Sequence, residues 1–323
     1  MNFSTPDSRG MVEGFCLVKA AEVKTSSKGD RYLDMTLADK SGEINAKLWS
    51  YNDALHGEYA TNDIIKVRGS ISVYNGAEQL RIERIRKATP DDNVDPAEFV
   101  PSAEYDADAM FSALYSLAEN FKDAELSRLV TALLDENKLA LLYWPAALKL
   151  HHAIRGGLLM HTLSIVRLCE GVCNVYPFAD KDLLIAGAIL HDIAKTREFE
   201  VTETGIASGY SVRGNLLGHL AEGAMMVRKM AEKLNSPMEI SMLLEHMILS
   251  HHGEPEFGAA VRPMFIEAEL LSQLDLLDAR IFEMREAIES NKDGDFTGKL
   301  WALDNRKLYD HKRTDFEKKT KLF

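Results

Sequence analysis

Ten histidines occur in this chain of 323 residues, and eight fall between positions 151 and 252. They sit in "HHAIRGGLLMHT" (His151, His152, His161), "LHDIAKT" (His191), "GHL" (His219) and "EHMILSHHGE" (His246, His251, His252). Neutral imidazole is a preferred ligand of borderline divalent metals, so this density points to a metal centre. The sharpest piece is the vicinal pair His191-Asp192, which closes the apolar run "LLIAGAIL" and is followed by Lys195. Burying an imidazole, a carboxylate and an ammonium together costs several kcal/mol each unless partners hold them. Consecutive helical side chains diverge by about 100°, so His191 and Asp192 can grip one ion only at the lip of a pocket. Lys195 follows His191 by four residues and Asp192 by three, and so shares their face. A cation beside a metal site is costly unless an anion lies between them, which suggests phosphate. "EAELLSQLDLLDAR" supplies a carboxylate. Asp275, between Leu274 and Leu276, reads as the buried ligand, whereas Asp278, close to Arg280, reads as a solvated, paired side chain.

These residues need a scaffold, and the chain offers two kinds. Residues 11–87 read as β-structure. "YLDMTLAD" (32–39) and "EINAKLW" (43–49) alternate about the turn "DKSG". "IIKVRGSISVY" (64–74) and "QLRIERIRK" (79–87) flank "NGAE", a hairpin signal. "YNDALHGEYA" (51–60) interrupts before the fourth strand, which fits a five-stranded barrel of the OB type. Residues 89–108 hold three prolines, seven acids and no bases, a linker composition. Helical apolar spacing then runs through 108–121, 127–144, 161–176, 181–195, 216–234, 238–250 and 263–290. The expected domains are a barrel over 1–88, a linker over 89–108, an all-α unit over 109–304 and a basic tail over 305–323. That tail carries seven bases and three acids, with Tyr309, Phe316 and Phe323 interleaved.

Hydrophobic residues make up 46% and charged residues 27%, a globular balance. No apolar run is expected to approach the roughly 20 residues that span a bilayer, and the first residues show no signal pattern, so the expected setting is cytoplasmic, away from membranes. Three cysteines do not make a disulfide framework; Cys169 and Cys173, four apart, read as core thiols. The net charge of −12 is uneven: residues 1–88 carry 13 Lys/Arg against 12 Asp/Glu, and the remainder 25 against 38. An acidic helical unit therefore does not exclude a nucleic-acid groove on the barrel. "GDFTGKL" (294–300) fails the spacing of a phosphate loop, so hydrolysis without nucleotide fuel is favoured.

The order His161, His191-Asp192, His219, His251-His252, Asp275 resembles the pattern of HD-domain metal-dependent phosphohydrolases. The likeness goes further. "HHAIRGGLLMHT", "GAILHDIAKTREF", "GHL", "ILSHHGEPEFG" and "LDLLDAR", behind an N-terminal domain with "LADKSGEINAKLW", resemble the HD-domain 3′→5′ exoribonucleases of the YhaM type over essentially the whole chain. Two positions depart from that family. An acidic residue tends to precede its first histidine ligand, where this chain has Met160, and "ADNLDA" tends to stand where this chain reads "LDLLDA". Neither removes a ligand, but both bear on the residues around them.

The resemblance implies an OB-type barrel followed by an HD-type helical fold, and metal ligation by His161, His191, Asp192, His219, His251 and Asp275. His161, His191, Asp192 and Asp275 would surround one ion and His219 and His251 a second, with Asp192 between them; such pairs, about 3.5–4 Å apart, clamp both oxygens of an in-line displacement. His251 is favoured over His252 as ligand, and His252 is placed against substrate or beside the ligands. Asp192, Lys195 and His252 form the expected catalytic set, with Lys195 neutralising charge on the phosphate. Nitrogen and oxygen donors without thiolate favour manganese, with other transition metals as alternatives and magnesium disfavoured. The plainer readings are a satisfied core histidine at 161, a helix cap at 219 and an exposed helix-end lysine at 195. His151, His152 and His246 lean structural.

On the barrel, Tyr32, Trp49 and Tyr74 with Lys66, Arg68 and Arg81 are the expected nucleic-acid contacts, since OB domains hold single strands by stacking and phosphate attraction. The plainer reading makes Trp49 and Tyr74 plugs of the barrel core. The expected activity is 3′→5′ hydrolysis of single-stranded RNA, with single-stranded DNA as a second substrate, by metal-activated water. The alternatives are a hydrolase of small nucleotides or cyclic dinucleotides, which would not need a strand-holding barrel, and a non-catalytic nucleic-acid binder, against which the full ligand set argues. The sequence leaves open whether the chain is a monomer or a homo-oligomer.

Overall fold

The structure is a computed structural model that describes residues 3, 6–39, 41–74, 76–148, 152–291 and 294–322. Lys40 of "DKSG", Asn75 of "NGAE", His151 and Phe323 lie outside the described residues. The chain divides into two compact units: Met1–Ser102 with Thr202–Ile206, and Ala103–Val201 with Ala207–Phe323.

In the first unit, β1 (Met11–Thr25), β2 (Arg31–Asp39), β3 (Gly42–Trp49), β4 (Ile64–Tyr74) and β5 (Ala77–Lys87) close into a barrel in the order β1-β2-β3-β5-β4. A short helix, α1 (Asp53–His56), fills the interruption before β4. The alternation seen in the sequence sets the faces: Leu33, Met35 and Leu37 of β2 and Ile44, Ala46 and Leu48 of β3 are buried inside, paired Leu33↔Leu48, Met35↔Ala46 and Leu37↔Ile44. Ile65, Val67, Leu80 and Ile82 complete that core. Closure comes from the parallel pairing of β3 with β5, Asn45↔Gln79 through Lys47↔Arg81. The β4–β5 ladder bulges at Arg68/Gly69, where a Cβ on Gly69 would stand 2.3 Å from the Arg81 carbonyl oxygen, so only glycine fits that crossing. These features make an OB-type barrel.

The second unit is helical: α2 (Ala107–Glu119), α3 (Ala124–Leu141), α4 (Gly157–Val175), α5 (Lys181–Leu190), α6 (Lys195–Glu198), α7 (Val212–Leu234), α8 (Met238–Ser250) and α9 (Ile266–Glu289). Asp106, Asp123, Asp180 and Ser211 begin α2, α3, α5 and α7 by accepting hydrogen bonds from backbone N–H groups of the first turn. Every residue of α5 from Leu183 to Leu190 is buried, so it forms the centre of the core. By length and composition α4 is apolar enough to cross a bilayer, contrary to the expectation from the sequence. Its face of Leu158, Leu159, Leu163, Ile165 and Val166 is instead packed in the helical core.

Several expectations need correction. The helix expected over 181–195 ends at Leu190, because the chain tightens into i→i−3 bonds, Ile193 to Leu190 and Lys195 to Asp192, before α6 begins. The unit is not purely helical: β6 (Phe199–Val201) and β7 (Ala207–Tyr210) pair as a hairpin. Two proline-initiated turns, Pro90–Asp92 and Pro96–Glu98, order the acidic stretch read as a linker. The stretch read as a basic tail is partly built in. Leu308 and Leu322 are buried, and Arg167 Nε donates to the Leu322 carbonyl at 2.8 Å. Cys16, Cys169 and Cys173 are free thiols.

Candidate metal centre

Five helical segments deliver their histidines and carboxylates to one place. His161 comes from α4, His191 caps α5 with Asp192 next to it, and His219 follows a break in α7. His251 caps α8 with His252 next to it, and Asp275 and Asp278 come from α9. The break in α7 is at Gly218, whose φ of 68° suits glycine and lets a new helical start carry His219. Gly214, one turn earlier, lies so close to α6 that a Cβ would stand 2.1 Å from the Glu198 carbonyl oxygen.

Each of the four inner imidazoles has its Nδ1 engaged. His161 Nδ1 lies 2.8 Å from Asp278 Oδ2 and His219 Nδ1 3.0 Å from Glu198 Oε1. His191 Nδ1 lies 2.8 Å from the Ala188 carbonyl and His251 Nδ1 2.8 Å from the Ile248 carbonyl. The last two are the same device used twice. A histidine at a helix C-terminus donates to a carbonyl that the ending helix leaves without a backbone donor. An acceptor at Nδ1 fixes the proton there and turns the Nε2 lone pair inward, as ligating histidines require.

The inward nitrogens surround Asp192. Its Oδ2 is 3.3 Å from His191 Nε2 and 3.7 Å from His161 Nε2, and its Oδ1 is 3.4 Å from His219 Nε2 and 3.8 Å from His251 Nε2. Asp275 Oδ1 lies 3.1 Å from His161 Nε2 and 4.0 Å from His191 Nε2. Donor atoms of His161, His191 and Asp192 fall within 4.8 Å of one another, as do those of His191, His251 and Asp275, and those of His219, His251 and His252. Asp192 Oδ1, His219 Nε2 and His251 Nε2 are buried without a hydrogen-bond partner among the described residues. Left so, each would cost about 1–3 kcal/mol, and a divalent cation satisfies all three. The donor set therefore fits such an ion.

Electrostatics agree with a site built around charge. Burial alone would raise the Asp192 carboxyl, but Lys195 and the imidazoles outweigh it and hold it well below the usual range. Asp275 and Asp278 are likewise held low against their burial, chiefly by hydrogen bonds to His161 and to His152 respectively. Burial would lower His161, yet its place between those carboxylates raises it to about 10. Burial pushes His251 well down and His252 down, so both rings are neutral bases.

All eight residues expected at the centre are brought together, with one correction. The Lys195 Nζ lies 2.6 Å from Asp192 Oδ2, an ion pair that offsets its burial. Asp278 is not a solvated partner of Arg280. It is largely buried, and it accepts from His152 at 3.1 Å, from His161 and from Ser164, while Arg280 reaches Asp304 instead. The signal for Asp278 was present: three residues after Asp275, it shares that helix face. Glu198 was missed, and nothing local betrays it, because its partner His219 is 21 residues away. His246 is structural, its Nε2 accepting from the Met264 N–H at 3.0 Å.

On the barrel the expected contacts face outward. Tyr32 and Trp49 are cross-strand partners with ring centroids 4.7 Å apart, and Lys47 Nζ stands over both at 5.3 and 5.7 Å. Trp49 and Tyr74 are 41% and 63% exposed, so neither plugs the core; Phe3 and Tyr51 are the buried aromatics there among the described residues, and Tyr51 donates to the Gly57 carbonyl. Arg68 and Arg81 are exposed on neighbouring strands, and Lys66 lies over the Phe15 ring at 5.5 Å. Lys47 went unremarked in the sequence although it alternates with Trp49.

Comparison with known proteins places both units. A family model described as an HD domain matches residues 158–280, and one described as an OB-fold nucleic acid binding domain matches residues 18–88. Among curated proteins, that named 3′-5′ exoribonuclease YhaM in Listeria innocua is 37% identical over 298 residues, covering 92% of this chain and 94% of that protein. Proteins of the same name match with the same coverage in Bacillus licheniformis at 37% and in Listeria monocytogenes at 36%. With that identity over nearly the full length of both chains, and a donor set that fits a divalent metal, this chain belongs to the YhaM family of 3′-5′ exoribonucleases.

Proposed function

We propose that this chain is a divalent-metal-dependent 3′→5′ exonuclease that hydrolyses single-stranded RNA. The observation that carries the reading is the set of four imidazoles, each with Nδ1 engaged and Nε2 turned toward Asp192, beside Asp275. His161, His191, Asp192 and Asp275 would hold one ion and His219 and His251 a second, with the two oxygens of Asp192 facing the two sets of rings. Manganese is the preferred ion, because the donors are imidazole and carboxylate without thiolate. Bound there, it supplies positive charge at the phosphoryl oxygens and acidifies the attacking water.

The protein's own groups do the rest. Lys195, buried and charged, is the cation that meets a non-bridging phosphate oxygen, exchanging its contact with Asp192 for one with substrate. His252 packs edge-on against His251 and His219, and its Nδ1 has no hydrogen-bond partner among the described residues, so it can donate to or accept from the substrate at the rim. Asp278 and Glu198 keep the ligand rings oriented. On the barrel, Tyr32, Trp49 and Tyr74 offer stacking surfaces, and Lys66, Arg68 and Arg81 attract the backbone of the strand, RNA first and DNA second. The setting that fits such an enzyme is the cytoplasm.

The substrate class is tested by competition. With manganese, an RNA of about 20 nucleotides, longer than one OB fold covers, the matching DNA and a cyclic dinucleotide are supplied at equal concentration. Release of mononucleotides from the RNA first is the expected result. Hydrolysis of the cyclic dinucleotide alone would replace this reading with that of a small-nucleotide hydrolase.

A further inference from the structure

Beside the metal centre the helical unit carries a second feature that the chemistry above does not use, a cavity of about 720 Å³ along α7. Two rungs connect α6 and α7. The first is the Glu198–His219 pair of the metal centre. The second, one residue earlier on α6 and three later on α7, is the Arg197–Glu222 pair at 3.2 Å. The cavity opens beyond that second rung.

Its charges do not cancel. Arg197 is shared between Glu222 and Glu136 at 3.2 and 3.3 Å, and Arg213 pairs with Glu222 at 2.6 Å, so two acids balance two arginines. Lys229 and Lys233 remain. They line the same cavity, are exposed and have no ion pair among the described residues. One turn apart on one helix face, they repel each other, and like charges at that spacing destabilise a helix by a few tenths of a kcal/mol. The rest of the α7 wall is methionine, with Met226 and Met230 buried and Met225 45% exposed. Thioethers make an adaptable apolar surface that favours aromatic rings. From Glu222 to Lys233 the groove follows about 16 Å of helix at 1.5 Å per residue.

Unbalanced cations spaced along a groove, over a soft apolar wall and next to the reacting centre, fit a polyanion carrying planar rings. We infer that this groove binds the backbone of the RNA strand under degradation, with Lys229 and Lys233 on its phosphates and bases against the methionines. The inference rests on the exonuclease reading for the identity of the strand. Lys229 and Lys233 are positioning residues: they hold the polymer and touch no reacting atom.

The test uses the full chain and its K229A/K233A and K229R/K233R variants, with melting curves to verify folding. Binding of a fluorescent RNA of about 20 nucleotides is followed by anisotropy with metal chelated, across a salt series, and turnover is measured separately with manganese. Loss of two phosphate contacts should weaken binding by about tenfold and flatten the log–log salt dependence by about 1.4 for the alanine variant, while the arginine variant keeps both. In turnover, KM should rise by about tenfold with kcat held within about twofold. Equal affinities and salt slopes for wild type and K229A/K233A would overturn the groove, however active the enzyme. Relief of inhibition by added nucleoside monophosphate without loss of RNA affinity would also overturn it, in favour of a product site. Tight, salt-dependent binding that is lost in the alanine variant, in a chain that never shortens RNA, would uphold the groove and contradict the exonuclease reading instead.

Discussion

At the scale of single residues, the centre is defined as much by what holds the ligands as by the ligands. Glu198 and Asp278 each fix the Nδ1 proton of a histidine whose other nitrogen faces Asp192. Glu198→Gln and Asp278→Asn should therefore each lower metal affinity by about 10–100-fold while the fold persists, as a calorimetric metal titration would show. Unchanged affinity in both would mean that the rings are oriented by packing alone. His161 makes the pH dependence specific. Its folded value, about 10, is raised above its ordinary 6.5. The stabilisation from its protonated form is thus complete below the ordinary value and is lost as pH rises through the folded one. A metal taking His161 Nε2 must displace that proton, so affinity should increase from about pH 7 to about pH 9 with release of protons, readable as a buffer-dependent binding heat. Affinity that fell over that range would contradict the assignment. The vicinal His191-Asp192 pair was legible because its types are rare together at the end of an apolar run. Asp278 was misread because its sequence neighbour Arg280 looked like a partner, when α9 turns the two away from each other.

At the scale of elements, the site depends on helix ends and on close approaches. α5 and α8 both stop at a histidine, and α7 breaks at Gly218 to start again at His219. α6 can offer Glu198 to His219 only because Gly214 has no side chain. Gly214→Ala places a methyl group against backbone, which cannot rotate away. It should cost about 1–3 kcal/mol in denaturant unfolding and weaken metal binding together with Glu198→Gln. A variant as stable as wild type with full metal affinity would show that α6 and α7 are less constrained than the geometry implies. The strands of the barrel were readable from alternation, since Leu33, Met35 and Leu37 fall on one face whatever the tertiary context. The kink at Gly218 and the β6–β7 hairpin were not, because a single glycine within an otherwise periodic run carries no sign of its φ.

At the scale of the whole molecule, the charge asymmetry in the sequence separates a near-neutral barrel stretch, residues 1–88, with cations and aromatics outward, from an acidic remainder whose helices gather carboxylates and imidazoles at one place. The order of the histidines along the chain was enough to suggest the family, although which oxygen faces which ring needed the fold. The barrel's exposed stack makes its own prediction. Trp49→Ala should weaken RNA binding by about 1–3 kcal/mol, measured by anisotropy with metal chelated, as loss of one stacked base would. No change would return Trp49 to a packing role beside Tyr32. The central claim is that Asp192 and its ring of imidazoles make a metal-dependent enzyme acting from the 3′ end. The direct measurement is electrophoresis of 5′-labelled single-stranded RNA, with a free or a chemically blocked 3′ end, incubated with wild type or Asp192→Ala, with manganese or with chelator. A ladder shortening from the free 3′ end only, with wild type and manganese only, is the expected result. Shortening of the blocked RNA, or equal degradation by Asp192→Ala, would contradict it.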